Sequence, residues 1–235
     1  MNLNEFEQAL KKRNILLTDK QLQQFDQYAK YLKEYNEKIN LTAIDEYEEV
    51  LEKHFYDCLL LIDRKLEGTL VDVGSGAGFP GVVLKIALPE LNVLLLEPIK
   101  KRCVFLSSLI EKLGLNKIEV VNDRAEDYSL NNREKYDYVT ARAVSNLNGL
   151  IEVSGAMVKK NGYFIALRGK DGLEELKEAT KAISTMGFEI EKTNNEQLFD
   201  GSKRIISYLK KVHNTPTKYP RKYSIIKQHT LWKKY

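Results

Sequence analysis

The sequence predicts an α/β fold: a doubly wound, mostly parallel, seven-stranded sheet of Rossmann-like build, with a helical extension at its amino terminus. Three observations carry this. From Thr69 to Leu167 short β-branched and apolar runs alternate with segments of helical period, the pattern of parallel strands joined by crossover helices. A glycine-dense turn, Gly74-Ser75-Gly76-Ala77-Gly78, separates the first run from the first of these helices. The last two runs, at 188–192 and 204–210, follow one another across Asp200-Gly201 without a helix between them, which predicts an antiparallel pair.

Taken in order, the elements begin with helices. Thr18-Asp19-Lys20-Gln21 has the form of a capping box, and Leu22, Phe25, Ala29, Leu32, Tyr35 and Ile39 follow at spacings of three or four along one face. After a polar junction at 36–42, Val50, Leu51, His54, Phe55 and Cys58 repeat the pattern in a second helix. Residues 1–66 are therefore expected to form an extension packed on the sheet, not a separate domain. The core, 67–212, is expected to place strands at 69–73, 92–96, 117–121, 136–141 and 163–167, ahead of the final pair. Helices are expected at 81–88, 100–113, 147–158 and 173–186, with residues 213–235 as a carboxyl-terminal tail.

The composition narrows the function classes. With 43% hydrophobic residues over 235, the chain can bury a substantial core. No run approaches the roughly 20 apolar residues of a membrane span, and the amino terminus lacks the apolar run of a secretory signal; a cytoplasmic protein with no membrane contact is expected. Cys58 and Cys103 are the two cysteines, too few for a disulfide framework or a cysteine-rich metal site, and no metal is expected. The charge is unevenly spread. From Gly201 onward there are ten Lys and Arg and no acid, while the whole chain is only +4. Tyr208, Tyr219, Tyr223, Trp232 and Tyr235 interleave with these cations. Cations neutralise phosphates and aromatic rings stack on unpaired bases, so an RNA partner is expected. Candidate contacts are Lys218, Arg221 and Lys222 in the tail, Lys101 and Arg102 opening the helix after the second strand, and Arg168.

The glycine turn is the most informative stretch. In doubly wound sheets ligands bind beyond the carboxyl ends of the strands, and Gly74, Gly76 and Gly78 let the backbone approach one closely. A dinucleotide fingerprint fails, because Phe79 stands where the third glycine is required, and no Gly-Lys-Ser or Gly-Lys-Thr closes a phosphate loop. Asp72, two residues before the turn, disfavours a pyrophosphate and suits a cationic ligand. S-adenosylmethionine is such a ligand. Glu97 ends the second strand, where its two oxygens match the two hydroxyls of a ribose. The run Asp123-Arg124-Ala125-Glu126-Asp127 follows the third strand, placed to meet an adenine edge.

These residues belong to a wider pattern. Asn40-Leu41-Thr42, His54 with Asp57, Gly74 to Gly81, Lys101-Arg102 with Phe105-Leu106, Arg124-Ala125-Glu126, Arg142-Ala143-Val144 and Tyr219-Pro220-Arg221 resemble the small-subunit ribosomal RNA guanine-N7 methyltransferases, the RsmG or GidB family, over almost the whole chain. The resemblance implies a class I S-adenosyl-L-methionine-dependent methyltransferase, a monomer whose partner is 16S ribosomal RNA or the small ribosomal subunit. It implies that Gly74, Phe79, Ala125, Glu126 and Arg142 line the cofactor site, with Glu97 as ribose acceptor. The chain departs from the family in having Glu97-Pro98 for Asp-Ser and Arg168-Gly169 for Lys-Gly.

The chemistry agrees with that target. The place after the fourth strand reads Thr140-Ala141-Arg142-Ala143 and lacks the Pro-Pro-aromatic loop used on exocyclic amines; neither cysteine lies in a Pro-Cys loop for attack on a pyrimidine. Guanine N7 offers a lone pair and no proton, so its methylation needs no base, and no catalytic side chain is expected. Arg142 is assigned to the methionine carboxylate, since binding guanine O6 and N7 would obstruct methylation at N7. His54 and Asp57 are read as structural. The residues by themselves leave open a methyltransferase of this fold acting on another RNA or a small molecule, and a non-catalytic RNA-binding module.

Overall fold

The computed structural model describes residues 1–63, 65–142 and 146–228. Helices α1 (Leu3–Lys11) and α2 (Asp19–Ile39) open the chain, each with a capping box at its start, Asn2 with Glu5 and Thr18 with Gln21. A continuous helical run follows: α3 (Tyr47–Glu49), a π-helical stretch (Val50–Tyr56) and α4 (Asp57–Leu59). Then come β1 (Thr69–Val73), α5 (Gly81–Ala87), β2 (Asn92–Leu96), α6 (Lys100–Leu113), β3 (Ile118–Val121), α7 (Ala125–Asn131), β4 (Tyr136–Arg142) and α8 (Leu147–Ser154). A 3₁₀ turn (Gly155–Met157) leads into β5 (Val158–Arg168), followed by α9 (Gly172–Glu178), α10 (Thr180–Thr185), β6 (Phe188–Gln197), β7 (Lys203–Lys211) and α11 (Tyr223–Gln228).

The seven strands form one sheet in the order β3-β2-β1-β4-β5-β7-β6. The first five pair in parallel, and β7 runs antiparallel to both β5 and β6. The chain winds outward from β1 to β3, then returns to β4 on the other side of β1, so the order reverses between β1 and β4. Register brings Val73 beside Leu96, and Leu96 beside Val121, so these strands end along one edge.

Buried on both faces, the central strands read as near-continuous apolar runs, and alternation along them sorts side chains into two cores. Leu70, Val93, Leu95, Ile165, Leu167, Ile206 and Tyr208 face one cluster; Val71, Leu94, Leu96, Val139, Phe164 and Leu209 face the other. The first cluster also contains Phe6, Phe25, Tyr28, Leu32 and Phe55. The extension thus contributes to the same core as α5, α6 and one sheet face.

Several boundaries depart from the expected ones. The helix expected at 147–158 ends at Ser154, and β5 begins at Val158, five residues early, because Val158 pairs with Tyr136. The intervening Lys159, Lys160 and Asn161 are exposed, so no apolar alternation announced them. The helix expected at 173–186 is two, α9 and α10, meeting at Ala179. Residues 125–131, for which no element was expected, form α7, which is short and polar. Among the described residues no helix is long and apolar enough to cross a membrane.

Candidate active site

The glycine turn leaves β1 at the edge where the sheet order reverses. Gly74, Gly76 and Gly78 have φ of 68°, 58° and 97°, the left-handed region that costs an L side chain about 1–2 kcal/mol. They differ in what lies around them. A Cβ on Gly78 would stand 2.7 Å from both Tyr28 Oη and Val82 Cγ2, so this glycine faces inward; on Gly76 it would meet nothing nearer than the Gly74 carbonyl oxygen at 3.8 Å, so this one faces open space. The Gly74 amide donates to the Leu96 carbonyl (2.7 Å), and the Tyr28 hydroxyl donates to the Ala77 carbonyl.

Asp72, an expected cofactor contact, is tied into the fold. Its side chain is wholly buried, and its Oδ2 accepts from the Gly81 amide (2.8 Å). It fastens β1 to the start of α5. Burial pushes its carboxyl up to about 7, with the Gly81 amide bond acting against that shift.

Glu97 closes the turn from the side. Its Oε2 accepts from the Gly76 amide and its Oε1 from the Ile99 amide, both at 2.9 Å, and the residue is 1% exposed. A carboxylate oxygen has two acceptor sites, so each oxygen retains one for a hydroxyl. The Asn122 side chain donates to the Glu97 carbonyl (2.9 Å), drawing the end of β3 to that of β2. Just beyond, Ala125 and Glu126 open α7. Glu126 is buried, with Arg124 Nη1 3.5 Å from its Oε1.

Arg142, at the tip of β4, faces the turn from the other side. Its Cζ lies 4.7 Å from the Phe79 ring centroid. Its other partners come from the helical run of the extension: Nη1 donates to the Lys53 carbonyl (3.2 Å) and lies 3.4 Å from Asp57 Oδ2, and Nη2 is 3.0 Å from His54 Nδ1. Beyond it opens a cleft of about 570 Å³, lined among others by Lys53, Arg142, Arg168, Lys170 and Arg204 and by Asp57, Asp171 and Glu175.

Residues 21–206 match the family model described as GidB, rRNA small subunit methyltransferase G. The chain belongs to the GidB family. Curated relatives agree: the ribosomal RNA small subunit methyltransferase G of Bacillus subtilis (strain 168) is 44% identical over 94% of this chain and 95% of its own, and that of Lactobacillus acidophilus is 46% identical over 94% and 95%. Among solved structures, a SAM-dependent methyltransferase from Aquifex aeolicus superposes with a TM-score of 0.57 at 17% identity, over 74% of this chain and 97% of its own. M. jannaschii TYW2, in complex with AdoMet, superposes with 0.52 at 15%, over 67% and 75%. These two show a shared fold.

As a GidB protein the chain is an S-adenosyl-L-methionine-dependent methyltransferase acting on RNA. The site fits that cofactor in two respects: the turn is open on the Gly76 side, and Glu97 keeps an acceptor on each oxygen beside it. The candidate RNA contacts divide. Lys101, Lys218 and Lys222 are exposed, and Arg102 is half-buried, 4.0 Å from Glu97. Arg168 is turned to a pair with Glu175 at the cleft wall. Arg221 is held by the protein itself: its Nε and Nη2 grip both oxygens of the fully buried Glu152 on α8 at 2.6 and 2.9 Å, so it anchors the tail. The basic charge from Gly201 onward is also partly spent within the protein. Arg204 pairs with Asp57 at 2.8 Å, and Lys211, wholly buried, donates to the Gly155 and Met186 carbonyls and to Thr215. Residues 229–235 and 143–145, including Trp232, Lys233 and Lys234, lie outside the described residues. Both cysteines are buried thiols.

Proposed function

We propose that this protein transfers the methyl group of S-adenosyl-L-methionine to N7 of a guanine in 16S ribosomal RNA, as a monomer in the cytoplasm, on free RNA or the small subunit. The observation that carries the reading is the meeting at one sheet edge of an open glycine turn, a carboxylate with spare acceptors and a cleft of mixed charge beside Arg142. When bound, the cofactor supplies an electrophilic methyl group on a sulfonium. Glu97 receives the ribose hydroxyls, Ala125 and Glu126 border the adenine, and Arg142 holds the methionine carboxylate, which fixes the line of approach; much of the available rate enhancement lies in that alignment.

Among the described residues, the groups that hold Arg142 support N7 as the target atom. His54 and Asp57, the titratable groups on Arg142, are both committed to hydrogen bonds and ion pairs. Neither is placed to accept a proton from a substrate amine, and N7 has none to give. The decisive assay incubates the protein with labelled S-adenosylmethionine and unmodified 16S RNA or small subunits, then identifies the nucleoside. Labelled 7-methylguanosine is expected; label in another nucleoside overturns the N7 assignment, and no label in any RNA overturns the function. Sedimentation checks the monomer.

A further inference from the structure

We infer that the amino-terminal extension aims Arg142, with His54 as its hydrogen-bond acceptor and Asp57 as its counter-ion, and that both are positioning residues for methyl transfer. The inference rests on the reading of Arg142 as the ligand of the methionine carboxylate.

Arg142 ends β4, and its strand neighbours do not hold its guanidinium. The side-chain and carbonyl partners recorded for it come from residues 53–57, at least 85 positions earlier in the chain. His54 Nδ1 lies 3.0 Å from Arg142 Nη2 and 3.1 Å from the Lys53 carbonyl oxygen; an arginine has only donors, so the contact with Nη2 is a hydrogen bond in the tautomer whose Nδ1 is unprotonated. Nε2 then carries the proton and donates to Thr42 Oγ1 at 2.9 Å, and Thr42 Oγ1 in turn accepts from the Ile44 amide at 3.1 Å. Burial, with Arg142 and Arg204 close by, lowers the imidazole pKa to about 3, so His54 remains an acceptor throughout the neutral range.

Asp57 sits between two arginines, Arg204 Nε at 2.8 Å from Oδ1 and Arg142 Nη1 at 3.4 Å from Oδ2, and thereby joins the tips of β7 and β4. The Phe79 ring lies 4.3 Å from His54 and 4.7 Å from the Arg142 guanidinium. Glycine turn, strand tip and extension are thus one packed group. Burying such ions stabilises a fold little, because desolvation offsets the attraction. What the group does provide is direction: three contacts from one helical run restrict a long side chain whose own 16% exposure is toward the cleft.

The test compares His54→Phe, His54→Asn, Asp57→Asn and Arg142→Lys in the full chain, by calorimetric titration with S-adenosylmethionine, steady-state methylation of small-subunit RNA and thermal unfolding. His54→Phe keeps a ring against Phe79 and removes the acceptor, so a loss of about tenfold in cofactor affinity is expected. His54→Asn restores an oxygen near the Nδ1 position, and recovery of most of that loss is expected even though Thr42 loses its partner. A packing role alone predicts that Tm falls in both variants with cofactor affinity unchanged, and this result overturns the inference. If His54→Phe does not fold, Asp57→Asn and Thr42→Val decide: weakened cofactor binding upholds the inference, wild-type binding in both overturns it. Unaltered affinity in Arg142→Lys refutes the assignment of Arg142 itself; a loss there, with none at His54 and Asp57, refutes only the positioning role.

Discussion

At the scale of single residues, two buried acids lie close to the glycine turn and are held differently. Glu97 accepts two backbone amides, one on each oxygen, and each oxygen retains one acceptor site. Glu97→Gln places an amide NH₂ against one of those N–H groups, leaving buried donors unpaired at about 1–3 kcal/mol; lower Tm and weaker cofactor binding are expected together, by thermal unfolding and titration. Asp72 is enclosed, and its pKa near 7 exceeds the ordinary 3.8. Below 3.8 it is protonated both folded and unfolded, so its contribution to stability is fully present. As pH rises from there through about 7 the unfolded chain releases the proton first, and stability falls. Asp72→Asn keeps an acceptor for the Gly81 amide and carries no such proton. Its Tm is expected to gain on the wild type between about pH 5 and pH 8; parallel curves refute the raised pKa. The sequence identified both acids as important through their positions at strand ends, but not which one is fastened to the start of α5. That depends on Gly81, nine residues after Asp72, folding back to bond it.

At the scale of elements, the glycine turn separates ligand contact from fold. Gly76→Ala points its methyl group into open space and incurs about 1–2 kcal/mol of left-handed backbone strain. A fall in Tm of a few degrees, from the strain alone, and a large loss of cofactor affinity are expected. Gly78→Ala drives a methyl group into Tyr28, which is fully buried and bonded to Ala77. A marked fall in Tm is expected there, and equal Tm values for the two variants in thermal unfolding contradict the inward and outward assignment. The turn, the first two strands and α6 were legible because each rests on a signal within a few residues. The start of β5 was not, since its exposed Lys159 and Lys160 are held in the strand by pairing with a distant neighbour.

For the whole molecule, the basic tail is partly a set of internal anchors. Arg221 grips Glu152, Arg133 donates to the Thr215 and Tyr219 carbonyls, and Lys211 is buried, its pKa pulled by burial down to about 7. Arg221→Ala strands a buried carboxylate, and a loss of about 3 kcal/mol in denaturant unfolding is expected. Lys218→Glu with Lys222→Glu alters two exposed positions. Unchanged stability is expected, with weaker RNA binding and a salt dependence shallower by about two counterions; an unaltered salt slope removes these lysines from the RNA contact.

The sequence by itself determined the alternation of strands and helices, the antiparallel last strand, the glycine turn and the acid at the end of β2, because periodicity and turn chemistry are properties of neighbouring residues. Tertiary structure decided which charges remain for a partner and which groups surround Arg142. Arg221 pairs across 69 positions and Arg142 across 85 to 89. Contacts of such span leave no local pattern: they arise only when packing of the extension and the tail brings distant side chains into a site where water no longer screens them.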